Sequence, residues 1–134
     1  MKTFEVHGIE IAAPASAVFA FVRRPENLPK WANAFKSADA RAAKLETPAG
    51  TVEIGLATSA NADAGTVDWR MAFPDGSIGI AQSRITPTAR DTSIYSFVLH
   101  APPVPLEQIE GALEHQARTL RTELVTLKKL VEAT

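Results

Sequence analysis

The stretch that decides the fold is Pro105–Glu132, PLEQIEGALEHQARTLRTELVTLKKLVE. Its apolar residues recur every three or four positions and form one stripe along a helix face. The stripe consists of Leu106, Ile109, Leu113, Ala117, Leu120, Leu124, Leu127 and Val131. Pro105 suits the first helical position, where its missing N–H costs nothing. Such a helix is about 42 Å long at ~1.5 Å per residue. The sequence therefore predicts a long helix that lies across a large partner surface.

Composition excludes several classes of protein. The chain has 134 residues and no cysteine, so disulfides, thiol catalysis and cysteine-ligated metals are excluded. A formal net charge of −1 provides no field to attract nucleic acid or an anionic membrane. The longest weakly polar run, Ile11–Val22, is too short to span a bilayer and contains Pro14. We expect a single domain over residues 1–134, a cytoplasmic location, no nucleic-acid partner and no membrane insertion.

The chain before the long helix reads as a strand, two short helices and a β meander. Thr3–Ile11 is β-rich, one helix opens at Pro14, and a second spans Glu26–Ala32. Five segments of β character follow, separated by turns rich in Pro, Asp, Asn and Gly. They are Ser37–Leu45, Thr51–Ser59, Thr66–Phe73, Ser77–Thr86 and Thr92–His100. This order predicts an α+β fold in which a curved antiparallel sheet of six strands wraps the long helix.

Three stretches carry a resemblance to a known family. They are Ile9–Ala15 followed by Val18, Pro25–Trp31 with its tryptophan, and Leu127-Lys128 with Glu132. Together they resemble the helix-grip fold of the START-like superfamily, also called SRPBCC. Its members include pollen allergens and polyketide cyclase/dehydrase-like proteins. The resemblance implies seven strands, one more than the sequence pattern predicts. It also implies a hollow between sheet and helix that holds a lipid- or polyketide-like molecule, on which some members do chemistry.

The hairpin at Phe73-Pro74-Asp75-Gly76-Ser77 sets the register of two strands. Pro-Asp-Gly suits a three-residue loop, a type I turn followed by Gly in the left-handed region. Phe73 then pairs with Ser77, and one face combines large and small side chains: Val67, Trp69 and Met71 opposite Ser83, Ala81 and Gly79. A two-residue turn would flip the second strand and place Gln82 and Arg84 inside.

Six residues are expected to contact a ligand: Trp31, Trp69, Met71, Tyr95, Phe97 and Gln116. Aromatic and methionine side chains make adaptable apolar walls, although the same residues also suit a filled core without a hollow. Tyr95 is the only tyrosine, and its hydroxyl could orient a carbonyl or phenol on a ligand. Gln116, at the edge of the helical stripe, could reach inward as a second polar anchor.

The histidines decide whether chemistry is expected as well. His115 lies opposite the apolar stripe and is expected in solvent, and His7 and His100 lack the short spacing of a helical metal pair, so no metal or cofactor is predicted. No catalytic residue is assigned. An alternative to simple binding is an enzyme of the cyclase/dehydratase kind. In it Tyr95, with Gln116 or His7, would orient and deprotonate a bound carbonyl compound.

A third alternative is an interaction module without a ligand. The predicted register leaves Ile78 and Ile80 facing outward. Exposed isoleucines on a strand suggest a partner surface, for example that of a homodimer.

Overall fold

The computed structural model describes residues 3–47, 50–100 and 106–133, without the side chains of 47 and 106–113. Its strands form one curved, seven-stranded antiparallel sheet in the order β1-β7-β6-β5-β4-β3-β2. The strands are β1 Phe4–Ile11, β2 Phe35–Ala38, β3 Ala42–Thr47, β4 Gly50–Asn61, β5 Thr66–Ala72, β6 Ile78–Pro87 and β7 Ser93–His100. The helices are α1 Ala15–Val22, α2 Leu28–Trp31 with a 3-10 turn Pro25–Asn27 before it, and α3 Leu106–Glu132. The helix-grip α+β fold is therefore confirmed.

One predicted strand was wrong in its extent. Ser37–Leu45 is two strands, because the chain reverses at Asp39. The Asp39 carboxylate accepts hydrogen bonds from the backbone N–H groups of Arg41 and Ala42, at 2.8 and 2.9 Å. These two bonds close a side-chain turn and lower the pKa of Asp39. The extra reversal supplies the seventh strand that the resemblance implied.

The predicted register of the central hairpin is confirmed. Val67 pairs with Ser83, Trp69 with Ala81 and Met71 with Gly79. The loop is closed by the Gly76 N–H donating to the Phe73 carbonyl at 3.0 Å, with φ of +89° at Gly76. The large side chains therefore share the concave face with small ones, and Gln82 and Arg84 are exposed on the other face.

The long helix buries its predicted stripe where the structure describes it. Ala117, Leu120, Leu124, Leu127 and Val131 are at most 4% exposed, and α3 packs against β1, α1 and α2. Pro105 and the side chains of Leu106, Ile109 and Leu113 lie outside the described residues. Within the described part of the chain, no helix is both long and apolar enough to cross a bilayer.

Polar contacts hold α3 to the turns at the end of β1 and after α2. A Glu132 carboxylate oxygen accepts from the Ala12 N–H at 2.6 Å, and the Lys128 ammonium donates to the Glu10 carbonyl at 3.0 Å. A Glu123 carboxylate oxygen accepts from the Asn33 N–H. Because Asn33 follows α2, this contact helps to fix the position of α2 over the sheet.

Candidate functional site

Four aromatic rings from three elements meet over the concave face. Trp31 comes from α2, Trp69 from β5, and Tyr95 and Phe97 from β7. The Trp31 centroid lies 6.3 Å from that of Trp69, 6.2 Å from Tyr95 and 6.5 Å from Phe97. Trp69 and Phe97 stack at 5.9 Å. All four side chains are buried, so four of the six expected ligand contacts form one aromatic cluster.

Small residues on β6 make room for this cluster. Ala81 pairs with Trp69 of β5, and Ser83 pairs with Phe97 of β7, the strand on the other side of β6. Gly79 pairs with Met71, and a Cβ added at Gly79 would lie 3.3 Å from the Met71 Cε. Met71, half-buried at the edge of the cluster, therefore depends on glycine for its close approach to β6.

Five buried side-chain polar atoms make no hydrogen bond to any residue that the structure describes. They are His7 Nε2, Trp31 Nε1, Thr58 Oγ1, Trp69 Nε1 and the Tyr95 hydroxyl. Buried polar atoms are normally paired, so each exception requires an explanation. Strand alternation places the four strand residues on the concave face, and the Trp31 ring packs against that face. The five atoms therefore lie on one face of the sheet, and both His7 and Thr58 are on strands next to members of the aromatic cluster, since His7 pairs with Phe97 and Thr58 with Trp69.

Tyr95 is the most enclosed of these groups, with no exposed side-chain surface. Burial is the main cause that raises its pKa; the neighbouring Ser83 hydroxyl lowers it, and the Asp68 charge raises it. Ser83 itself donates to the Val67 carbonyl at 2.6 Å. The phenol is therefore neutral at physiological pH, and no described residue accepts its proton by the geometry of a hydrogen bond.

A second polar group lies at the β1 end of the same face. Glu5 and His7 are two positions apart on β1, so their side chains lie on the same face of the sheet. His7 pairs with Phe97 and Glu5 pairs with Leu99, which identifies that face as the concave one. The His7 Nε2 lies 3.6 Å from a Glu5 carboxylate oxygen, with 15% and 19% of the two side chains exposed. Glu5, the neighbour of His7 on this face, was not predicted from the sequence. The period-two pattern of Glu5, His7, Ile9 and Ile11 was the signal that could have found the pair.

The remaining sequence-predicted polar residues do not join the site. Gln116 is exposed on α3 and is not brought to the aromatic cluster. His115 is exposed, and His100 bonds Gln82 on the outer face at 2.9 Å. Among the side chains that the structure describes, no three His, Asp or Glu gather as metal ligands would.

The outer face of the sheet exposes several large apolar side chains on the adjacent strands β1, β7 and β6. Phe4, Val6, Ile78 and Ile80 lie toward one end of these strands, whereas Ile94 pairs with Glu10 and Thr86 at the other end. Ile80 also lines a shallow depression of about 120 Å³. Its other lining residues are Ser59, Asp68, Trp69, Arg70 and Gln82. Ile78 and Ile80 therefore face outward, as the register predicted.

The profile of a family described as "Polyketide cyclase / dehydrase and lipid transport" matches residues 1–132. The chain belongs to this family. It is a START-like (SRPBCC) protein, as its motifs indicated. No curated protein matches it significantly in sequence.

Solved structures agree with the fold. A START superfamily protein from Mycobacterium smegmatis superposes with a TM-score of 0.72 at 16% identity, covering 98% of this chain and 99% of that one. DR_A0006 from Deinococcus radiodurans gives 0.70 at 20% identity, covering 98% of both chains. The di-domain ARO/CYC BexL from the BE-7585A biosynthetic pathway gives 0.70 at 18% identity, covering 98% of this chain and 47% of that one. At these identities the likeness establishes the architecture alone.

Proposed function

We propose that the protein binds a small apolar or amphipathic molecule between the concave face of the sheet and α3. The observation that carries the proposal is the grouping of the five unpaired polar atoms, counted among the described residues, around the aromatic cluster. A ligand that brings hydrogen-bonding atoms would satisfy groups that otherwise cost about 1–3 kcal/mol each when left unpaired. Apolar walls with a few convergent polar groups are typical of small-molecule sites.

Membership of the family supports the proposal, because its description joins lipid transport with polyketide cyclisation. Both roles require an apolar molecule to be held away from water. Trp31, Trp69, Met71, Tyr95 and Phe97 are the proposed contacts. Gln116, exposed on α3, gains no support as a sixth.

The two tryptophans of the chain provide a direct test, because both belong to the aromatic cluster. A ligand at the site should quench or shift their fluorescence saturably, at one molecule per chain. Fatty acids and polycyclic aromatic ketones form the first panel, and native mass spectrometry checks the stoichiometry. Trp31→Phe and Trp69→Phe should each retain a signal from the remaining indole. If no member of the panel changes the emission or the mass, the proposal fails.

A second candidate function is catalysis in the same place, and the Glu5–His7 pair is the observation that favours it. His7 lies on the concave face and is a diagonal neighbour of Tyr95, which pairs with Ile9. A neutral imidazole could remove a proton from the carbon beside a carbonyl that Tyr95 polarises. Hydrogen–deuterium exchange at the methyl group of 2-acetylnaphthalene, followed by NMR in D₂O, tests this step. Exchange no faster than in buffer, or unaltered by His7→Gln, would remove this candidate.

Self-association is a third candidate, favoured by the apolar outer face. Exposed fractions of 37% at Ile78 and 47% at Ile80 are large for isoleucine on a sheet. Light scattering over a range of protein concentrations tests it. If the protein dimerises through this face, the double variant Ile78→Ser/Ile80→Ser should dimerise more weakly. A monomer at all concentrations would rule out self-association.

A further inference from the structure

We infer that two copies of the chain pair through the free edge of β1 and join their two sheets into one. The pairing surface is the backbone edge of residues 3–9, and the two copies are related by a two-fold axis at Val6. This edge is a different surface from the outer face around Ile78 and Ile80. The inference is independent of ligand binding.

The β1 edge presents backbone groups that the described sheet leaves unpaired. β1 is the end strand beside β7, and alternate residues of an antiparallel strand bond to opposite sides. The Ile85 N–H donates to the Gly65 carbonyl at 2.7 Å, so the odd-numbered residues of β6 bond toward β5. The even-numbered residues of β6 then bond to β7, and the odd-numbered residues of β7 bond to the odd-numbered residues of β1. Phe4, Val6 and Gly8 therefore direct their N–H and C=O groups to the free edge.

The other parts of the sheet edges are protected against pairing. Further along β1, the Glu10 carbonyl accepts from the Lys128 ammonium of α3. The opposite edge strand, β2, has only four residues, an irregular register and an exposed lysine, Lys36. Short strands, bulges and lysines are devices by which proteins prevent edge pairing. Residues 4–8 have a regular register and contain neither lysine nor proline, so this part of the edge is open to a further strand.

The sequence of β1 is complementary to itself about Val6, which identifies a second copy as the partner. In an antiparallel pair centred there, Val6 faces Val6 of the second copy, and Phe4 faces Gly8 on the outer face. Phe4 and Val6 are 51% and 55% exposed in the single chain, so the pairing would remove apolar surface from water. On the concave face Glu5 faces His7, an acceptor opposite a group that can donate. About six backbone hydrogen bonds would form between the two strands.

Gly8 supports the pairing because the single chain does not require glycine there. Its φ angle lies outside the left-handed region. An added Cβ would lie 3.5 Å from the Tyr95 carbonyl oxygen, which is ordinary van der Waals contact. A glycine within a strand often marks a place where another group approaches closely, and an aromatic ring opposite an edge glycine is a favourable pair. The Phe4 ring of the second copy would fill this space.

A charge-exchange experiment at position 6 tests the inference. Sedimentation velocity of the full chain, from about 1 µM to about 1 mM, should show a monomer–dimer equilibrium, because an interface of one strand per copy is small. Val6→Lys and Val6→Glu should each weaken association at least about tenfold, since like charges would face each other across the axis. An equimolar mixture of the two variants should associate at least about tenfold more tightly than either alone. Ile80→Lys is the matched control and should change association by less than about twofold, because Ile80 is 47% exposed on the same face but lies two strands from the edge.

Gly8→Thr separates pairing from folding. Threonine suits a strand, so the Tm of the dilute protein should be unchanged or higher, whereas dimerisation should weaken at least about fivefold. A protein that stays monomeric over the whole concentration range would contradict the inference and leave the proposed ligand binding unaffected. Edge pairing would also be wrong if the mixed charge variants fail to associate, or if Ile80→Lys weakens the dimer as much as Val6→Lys does.

Discussion

Replacing Tyr95 by Phe should stabilise the protein without ligand and weaken its binding of a carbonyl compound. The Tyr95 side chain is fully buried, and its hydroxyl makes no hydrogen bond to a described residue. A buried hydroxyl without a partner costs about 1–3 kcal/mol in mutational studies. Removal of the oxygen leaves only a small void, so we expect a gain of about 1 kcal/mol. For a domain of this size that corresponds to a rise in Tm of roughly 3–5 °C.

The pH dependence gives the same prediction a second measurement. Burial raises the folded-state pKa of Tyr95 above its ordinary value of about 10. At pH values between the ordinary pKa and the raised folded-state pKa, the folded protein keeps a proton that the unfolded chain has lost. The free energy of unfolding should therefore fall above pH 10, by up to about 1.4 kcal/mol per pH unit, and be fully retained below it. Because the chain has one tyrosine, tyrosinate absorbance reports this group alone and should appear only with unfolding.

The matched control is a buried hydroxyl that does have a partner. Ser93 is fully buried and donates to the Ala13 carbonyl at 2.7 Å. Ser93→Ala should therefore lose about 1–2 kcal/mol in urea unfolding, the opposite sign to Tyr95→Phe. If Tyr95→Phe instead costs 1 kcal/mol or more, the phenol has a stabilising bond in the free protein. If Tyr95→Phe leaves the binding of 2-acetylnaphthalene unchanged, the phenol has no part in the site.

Three further predictions concern stability. Gly65→Ala should lower the free energy of unfolding in urea by at least about 2 kcal/mol, because φ is +71° and the added Cβ would lie 2.5 Å from a backbone carbonyl oxygen. The control is Gly76→Ala, where φ is +89° but no described atom lies within 4 Å of the added Cβ. It should lower the free energy of unfolding by only about 1 kcal/mol. Burial raises the pKa of Glu123 despite the bond from the Asn33 N–H, so stability should decline as pH rises above 4.5 through the folded pKa. Glu123→Gln keeps an acceptor and should remove that decline, and an unaltered pH profile would contradict this reasoning. Glu132 should change stability with pH in the opposite direction, because the hydrogen bond from Lys128 lowers its pKa. Its contribution to stability is present above pH 4.5 and is lost on acidification. Glu132→Gln should therefore reduce the fall in Tm between neutral and acidic pH.

Local patterns were sufficient to predict much of the architecture. The stripe of α3 predicted a helix with one buried face because side chains three and four apart share a face. Pro-Asp-Gly predicted the register of β5 and β6 because the loop type determines which residues pair. That register placed Ala81 and Gly79, rather than Gln82, opposite Trp69 and Met71 on the concave face.

Other features depended on tertiary structure. β1 pairs with β7, some ninety positions later, and no local periodicity encodes so distant a pairing. That pairing brings Glu5 and His7 to the aromatic cluster, and the docking of α2 brings Trp31 over Tyr95. Gln116 could not be placed from its angle on the helix, because its exposure depends on which surface α3 contacts. The sequence by itself determined which side chains share a face, since that follows from backbone geometry. The tertiary structure decided which faces meet, because that depends on contacts between residues far apart in the chain.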